Sequence, residues 1–424
     1  MSENYPSRVA DRIERIVVIN DSTVARGGAT TLAVLSAKLL RQRGFDVTYF
    51  AGDEGDVDGS LRAEGIDAIG LGNTTLLKSS TVRALSRGLY NVGAYRALSD
   101  WIVRNDTSRT VYHLHGWQQI LSPAIFRALK AVSDRTLFHA HDYFLVCPNG
   151  GQMNYSTGTV CSLRPMSWQC ISTNCDKRNR AHKLWRVGRH GMRNAIDDLK
   201  GVDVRIALIH RRMTEAFVHY GVLSSNLSEI PNPSIPFSSN RVKAESNREF
   251  HFVGRLVAEK GINEFLAAAR TAGVPVRVMG DGPLRQVLAT TYPEFVFEGW
   301  CSRKRLTEIV QTARMLVMPS LYPEPFGLVV PEAVSSGIPV LIAESALLAA
   351  EVVRNGVGLT IDPGNGEQFA TSLNALALNN DSIEAMSRQG FENTSGFAID
   401  PQQWISKIIE NYCGLAGMIE KPSA

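Results

Sequence analysis

Long uninterrupted apolar runs are missing from this sequence. No stretch reaches the roughly 18 residues that a membrane-spanning helix needs, so a helical membrane protein is not expected. A targeting segment is not visible either. MSENYPSRVADRIER is polar and charged, and the apolar IVVIN that follows has the length of a strand. Strong charge of one sign is also absent: a net charge of +4 over 424 residues gives no ground for a nucleic-acid partner. Six cysteines in a chain of this length do not make a disulfide scaffold and suit a reducing compartment. The cytoplasm is therefore the expected location. Internal repeats and low-complexity segments are lacking, which excludes solenoids and arrays.

What the chain does have is alternation. RIVVIN (15–20) is a β-branched run that ends in the polar DSTVARGG, and ATTLAVLSAKLLRQRG then carries apolar residues at helical spacing up to Gly44. DVTYF, TVYHLH, TLFHAH and VRIALIH (204–210) continue the series, with the last read as the final strand of this half. The proline-rich SEIPNPSIPFSSN (228–240) reads as a linker. After it, REFHFVGR, PVRVMGDG, RMLVMPS, GIPVLIA and GVGLTID are strands of a second series, and PQQWISKIIENYCGLAGMI closes the chain as a helix. Strands alternating with helices predict parallel sheets covered on both faces, and 424 residues predict two such domains. Ligands of open α/β sheets bind at the carboxyl ends of the strands. A cleft between the two domains is thus the expected site.

Four stretches of the second half, FVGRLVAEKG (252–261), VMGDGPLR (278–285), FEGWCSRKRL (297–306) and PEPFGLVVPEAVSSGIPV (323–340), resemble the successive motifs of the GT4-type retaining glycosyltransferases. The N-terminal RGGATTLAVLSAKLLRQRGFDVTYF is similar to that family's first glycine loop and helix. The resemblance implies an α/β, GT-B architecture of two Rossmann-like domains. It suggests an acceptor-binding domain over 1–230, a linker over 231–243, a nucleotide-sugar domain over 244–397, and a C-terminal helix over 398–424 that crosses back. It further implies transfer of a sugar, with retention, from a nucleoside-diphosphate-sugar to a saccharide or lipid-linked acceptor in cell-surface polysaccharide assembly. A non-catalytic nucleotide-sugar-binding subunit and a sugar-nucleotide epimerase of the same fold are the alternatives.

The residue types suit that chemistry. When a glycosidic bond to a diphosphate breaks, negative charge grows on the leaving phosphate while the sugar becomes oxocarbenium-like. Cations and backbone amides are needed at the first, carboxylates at the second. Arg255 and Lys260 can supply the cations, and Gly327 and Leu328 fall where a helix begins. By the family's pattern, in which two glutamates bracket seven residues, Glu324 contacts the donor sugar and Glu332 the ribose hydroxyls, with Phe326 between them. No catalytic divalent metal is needed, and DVD (56–58) reads as a solvated acidic loop. GDGPLR lacks the third glycine of a dinucleotide fingerprint, so Gly280 and Pro283 read as a turn near the nucleotide. In the first half, Gly27 and Gly28 form the loop that approaches phosphate or acceptor, or else a plain tight turn. His141 matches the family's sugar-contacting histidine, His115 is second to it, and His113 and His139 are expected in the core.

Two departures complete the reading. GIPVLIA is followed by ESALLAAEVVRNG, where the family usually has a glycine pair ahead of a Pro-Glu step, so the donor sugar stays open. An insertion over about 147–194 carries Cys147, Cys161, Cys170 and Cys175, which are open to a structural zinc, to free thiols or to disulfides. It continues into 176–194, with Lys177, Arg178, Arg180, Lys183, Arg186, Arg189 and Arg193, which fits either an anionic membrane surface or a solvated helix face.

Overall fold

The computed structural model describes residues 13–24, 27–76, 81–393 and 399–416. Among these, the chain forms two compact units. The first runs to Pro231, less Thr157–Val160, and takes in the terminal helix from Gln402; the second comprises Thr157–Val160 and Asn232–Pro401.

Seven strands build the sheet of the first unit: β1 (Arg15–Asn20), β2 (Asp46–Ala51), β3 (Asp67–Gly70), β4 (Thr110–Leu114), β5 (Thr136–Ala140), β8 (Arg205–Leu208) and β9 (Leu227–Glu229). Their order is β3-β2-β1-β4-β5-β8-β9 and every pairing is parallel. Two-residue strands, β6 (Met153–Asn154) and β7 (Thr159–Val160), lie between β5 and β8 in sequence. From Ile16 to Asn20 every residue of β1 is buried, as a parallel strand covered on both faces requires. The helix Gly28–Gln42 turns Leu32, Ala33, Ser36, Ala37, Leu39 and Leu40 inward, the helical stripe read from the sequence. VRIALIH is not the last strand of this half. β9 follows it and takes up Ser228 and Glu229, which the sequence reading assigned to the linker. β3 was not anticipated, because DAIG is short and its burial is mixed.

The second unit has a six-stranded parallel sheet of β10 (Glu249–Val253), β11 (Val276–Met279), β12 (Val296–Gly299), β13 (Ala313–Met318), β14 (Val340–Ala343) and β15 (Gly358–Ile361), in the order β12-β11-β10-β13-β14-β15. Its core gathers Phe250, Phe252, Phe265, Val278, Met315 and Phe369, with the rings of Phe265 and Phe369 stacked at 6.0 Å. In both sheets the strand order reverses once beside the first strand, at β1/β4 and at β10/β13. Loops diverge at the carboxyl end of such a point and leave room for a ligand.

The terminal helix Pro401–Ala416 buries Trp404, Ile405, Ile408, Tyr412 and Leu415, an apolar stripe of helical period. It belongs to the first unit, as the crossover expectation requires. The Tyr412 hydroxyl lies 2.6 Å from Nδ1 of His113 on β4, and both side chains are fully buried. Tyr412→Phe would leave that imidazole nitrogen unsatisfied. It is expected to lower unfolding stability by about 1–3 kcal/mol in a denaturant titration; an unchanged midpoint would show that the bond does not hold the helix.

Candidate functional site

In the second unit the loops after β10 and β13 meet. The chain leaves β10 through Gly254 and Arg255, makes one 3₁₀ turn (Ala258–Lys260), and starts the helix Ile262–Ala272 at Gly261. Gly261 has φ +66°, and a Cβ there would stand 1.8 Å from the Pro319 carbonyl oxygen, so only glycine fits. The Leu321 N–H donates to the Glu259 carbonyl at 3.0 Å, tying the two loops together. This contact sets the Lys260 amine against the Glu324 carboxylate in a direct ion pair. Lys260 also donates to the Tyr322 hydroxyl at 3.2 Å and stands 5.3 Å above that ring, while Ser320 Oγ donates to Glu324 at 3.1 Å. Glu324 is 8% exposed. Burial alone pushes its carboxyl up. The charge and hydrogen bond of Lys260, joined by the hydroxyls of Tyr322 and Ser320, outweigh that and hold it below the ordinary value. Glu324 is therefore a nearly buried carboxylate kept ionised.

Beyond it, Gly327 adopts φ +70°, a conformation that favours glycine, and turns the chain into the short helix Val329–Val334. Phe326 is buried and packs inside the unit. Leu328 caps the helix, and Glu332 lies on its first turn. Glu332 has a cationic partner that the sequence did not point to: Arg303 donates to it from Nη1 at 2.8 Å and from Nη2 to the carbonyls of Ile235 and Pro236. Burial still pushes the Glu332 carboxyl up to about 7, with Arg303 opposing. Arg255 and Pro283 are exposed, and the Gly280 N–H donates to the Gly299 carbonyl at 2.8 Å, which makes GDGPLR a turn clamped to the end of β12.

The first unit carries a second polar cluster, at the carboxyl end of β4 and β5. Four imidazoles stack there. His113 Nε2 faces His139 Nδ1 at 3.2 Å, His115 Nδ1 faces His141 Nε2 at 2.9 Å, and Ser36 Oγ reaches His115 Nε2 at 3.3 Å. His113 and His139 are buried, as expected, yet they belong to the same cluster as His141. Burial holds all four neutral; for His141 it lowers the pKa to about 3. Nδ1 of His141 is buried with no partner among the described residues, beside a small cavity of about 10 Å³ lined by His115, Trp117, Gln118, His139, His141 and Asp142. Asp142 is pushed up to about 6 by burial. Asp21, which the sequence reading passed over, accepts the N–H groups of Gln119, Ile120 and Leu121 at 2.7–2.9 Å. Gly27 starts the helix Gly28–Gln42 with extended backbone and no side-chain cap, and a Cβ there would meet nothing within 4 Å. Among the described residues nothing demands glycine at that position.

Two surface expectations change. Asp56 of DVD is not solvated: it is buried and accepts the N–H groups of Leu61 and Arg62 at 3.1 and 2.9 Å. The basic stretch 176–194 contains the helix Arg180–Ile196, and it turns much of its charge inward. Lys183, Arg189 and Arg193 are buried, and Arg186 pairs with the buried Asp176 at 3.0 Å. Arg193 satisfies its guanidinium on the Leu145 carbonyl, His190 Nε2 and the Tyr220 hydroxyl. A buried guanidinium is destabilising by several kcal/mol without such partners. Of the seven cations, Lys177, Arg178 and Arg180 stay exposed, so the segment is mainly polar interior rather than a basic stripe. Cys147, Cys161, Cys170 and Cys175 form no disulfide, which removes that reading of the insertion.

Residues 236–393 match the family described as glycosyl transferases group 1. The match lies within the second unit and spans well under half of the chain. An uncharacterized 42.6 kDa protein in the cps region of Klebsiella pneumoniae is 22% identical over 335 residues, 74% of this chain and 80% of that protein. The exopolysaccharide phosphotransferase of Streptomyces coelicolor is 25% identical over 215 residues, 48% of this chain and 23% of its own length, so the match spans under a quarter of that relative. The crystal structure of Anabaena HepE in complex with UDP superposes with a TM-score of 0.64 at 16% identity, covering 95% of this chain and 100% of that one. The fold is that of GT-B glycosyltransferases, two parallel-sheet Rossmann-like domains. No helix among the described residues is long and apolar enough to cross a membrane.

Glu332 supplies a test of this geometry. Its raised pKa means the folded state holds a proton that the unfolded chain, near its ordinary 4.5, has released. Its contribution to stability therefore falls as pH rises from about 4.5 to about 7. In a carboxyl ¹³C titration, Arg303→Ala is expected to move the Glu332 midpoint upward, because the cation favouring the ionised form is gone; a midpoint that stays or falls would refute the pairing.

Proposed function

We propose that the protein is a retaining glycosyltransferase. It moves a sugar from a nucleoside-diphosphate-sugar to a saccharide or lipid-linked acceptor in the assembly of a cell-surface polysaccharide. The observation that carries this reading is the Lys260–Glu324 pair, at the strand-order reversal of the second sheet. The match of residues 236–393 to the glycosyl transferases group 1 family supports the reaction class, and the UDP in HepE supports a nucleoside diphosphate as the donor's carrier. The polysaccharide setting draws on the Klebsiella and Streptomyces relatives.

In this reading Arg255 and Lys260 neutralise the diphosphate. A unit charge pair at 4 Å gives about 4 kcal/mol at an effective dielectric near 20. The part that grows as the bond breaks is about 3–4 kcal/mol per preorganised donor, and that part accelerates the reaction. The backbone N–H groups of Gly327 and Leu328, at the entry to the Val329–Val334 helix, assist them. The bond from the anomeric carbon to the phosphate oxygen breaks, and its electron pair goes to the leaving diphosphate. The acceptor hydroxyl oxygen bonds the anomeric carbon on the same face, and its proton passes to a leaving phosphate oxygen. No protein base is required. Glu324, held ionised by Lys260, accepts a sugar hydroxyl and stabilises the positive charge that develops on the ring. Glu332 takes the ribose hydroxyls, Gly280 and Pro283 border the base, and Phe326 backs the loop from inside. In the first unit, Gly27, Gly28 and His141 receive the acceptor and the transferred sugar; a neutral imidazole suits a hydroxyl, since it donates from one nitrogen and accepts at the other.

Glu324→Gln keeps the shape of the side chain and removes its charge. It is expected to lower turnover of nucleotide sugar about 100-fold or more while calorimetric binding of UDP changes less than about threefold, whereas Arg255→Ala weakens both. Turnover in the Glu324 variant equal to wild type would rule out the catalytic assignment and favour a binding subunit.

A further inference from the structure

The four cysteines of the insertion come from separate parts of the chain. Cys147 lies in the loop after β5, Cys161 just past β7, Cys170 in the short helix Trp168–Ser172, and Cys175 beyond that helix. All four nonetheless line one small cavity of about 20 Å³ in the first unit, together with Lys183 and Asn149. A cavity lined by four thiols has no bearing on sugar transfer, and packing alone does not account for the lysine. Lys183 is 1% exposed, and the partners of its amine are two sulfurs: Cys175 Sγ at 3.1 Å and Cys170 Sγ at 3.7 Å. An ammonium buried among neutral thiols is unfavourable by several kcal/mol, because a thiol is a poor acceptor and offers no compensating charge.

We propose that Cys147, Cys161, Cys170 and Cys175 bind a zinc ion as thiolates, with Lys183 as the cation that balances them. Four thiolates around Zn²⁺ leave two negative charges in excess. Lys183 cancels one, and its N–H groups become donors to metal-bound sulfur, the outer-shell contact that thiolate centres use. Asn149 is a second such donor, with Nδ2 3.2 Å from Cys175 Sγ. Its loop is held from behind by Arg186, which donates to the Asn149 carbonyl at 2.9 Å and pairs with Asp176. The three-residue grouping closest to metal-site spacing among the described residues is His113, His115 and His139, not the cysteines. Those imidazoles are already engaged with one another, with Ser36 and with Tyr412. The sulfurs have to draw in around the ion to reach about 2.3 Å from it. Between Cys147 and Cys175 the regular structure is confined to β6, β7 and the helix Trp168–Ser172, which leaves loop segments that can make that movement. Binding releases the four thiol protons to solvent and changes no oxidation state. The ion clamps a loop too long to stay ordered by itself, in the stretch that follows His141 directly.

Elemental analysis of the full chain, purified without metal-affinity resin from zinc-supplemented medium, tests this. About one equivalent of zinc is expected, lost from Cys170→Ser and Cys175→Ser but kept in Cys301→Ser, which lies outside the cluster. Lys183→Met is expected to keep the stoichiometry and to weaken zinc retention against a chelator about 10–100-fold. If the cysteine variants fail to accumulate, the wild-type stoichiometry and the Lys183 variant still decide. Less than about a tenth of an equivalent of zinc, with four fast-reacting thiols in the native protein, would overturn the proposal, and so would iron in place of zinc.

Discussion

Lys260 and Glu324 need each other. Each alone would be a charge largely removed from water, and each is kept there by the other. The pair forms because two loops are brought within hydrogen-bonding distance at the carboxyl ends of β10 and β13, and that approach depends on a residue without a side chain at Gly261. A parallel sheet whose strand order reverses at this place opens its loops there and nowhere else along the edge. The local chemistry is thus a consequence of sheet topology, one glycine and one ion pair. Tyr322 and Ser320 add hydroxyls to the same carboxylate, so the site has its anionic and cationic halves in fixed register before any ligand arrives. Such preorganisation is what electrostatic catalysis requires, because dipoles already in position need not reorganise as charge develops.

The first unit solves a different problem. Its interior holds five histidines (His113, His115, His139, His190 and His210), three basic side chains and several carboxylates, all removed from water. Each has an identifiable answer: imidazoles bond to imidazoles, Arg193 to a carbonyl and a hydroxyl, Asp21 to three backbone N–H groups, Arg186 to Asp176. Lys183 fits this accounting once the sulfurs beside it are thiolates. Polar interiors of this density are unfavourable relative to apolar packing unless they serve a purpose, and the unpartnered Nδ1 of His141 beside a small cavity is where that purpose is most visible.

Much of the architecture was legible in the sequence, for a physical reason. Strands such as RIVVIN and RMLVMPS are buried on both faces and so leave a continuous apolar signature. DAIG, VFEG and LSE escape notice because three or four residues with polar members carry too little of that pattern. The carboxylates and cations of the second unit could be named because they lie within short motifs, and Glu324 with Lys260 proves to be in contact. What sequence could not convey was partnership across long separations. Arg303 reaches Glu332 across 29 residues, Tyr412 meets His113 across 299, and the basic stretch 176–194 folds inward although its composition resembles a surface. Charge density along a chain does not say which way a helix faces, so the stretch fitted an anionic membrane surface and a solvated face equally well. Gly27 shows the opposite case: its backbone is extended and no described residue stands in the way of a side chain there.

The central claim is that the Lys260–Glu324 pair lies in a nucleotide-sugar site, with Lys260 at the diphosphate and Glu324 at the sugar. The most direct measurement is the calorimetric affinity for UDP relative to UMP, in the wild type and in the double variant Lys260→Met/Glu324→Gln, which leaves no buried charge unpaired. The account predicts a clear preference of the wild type for the diphosphate that collapses toward parity in the variant. The same preference in both proteins would contradict it.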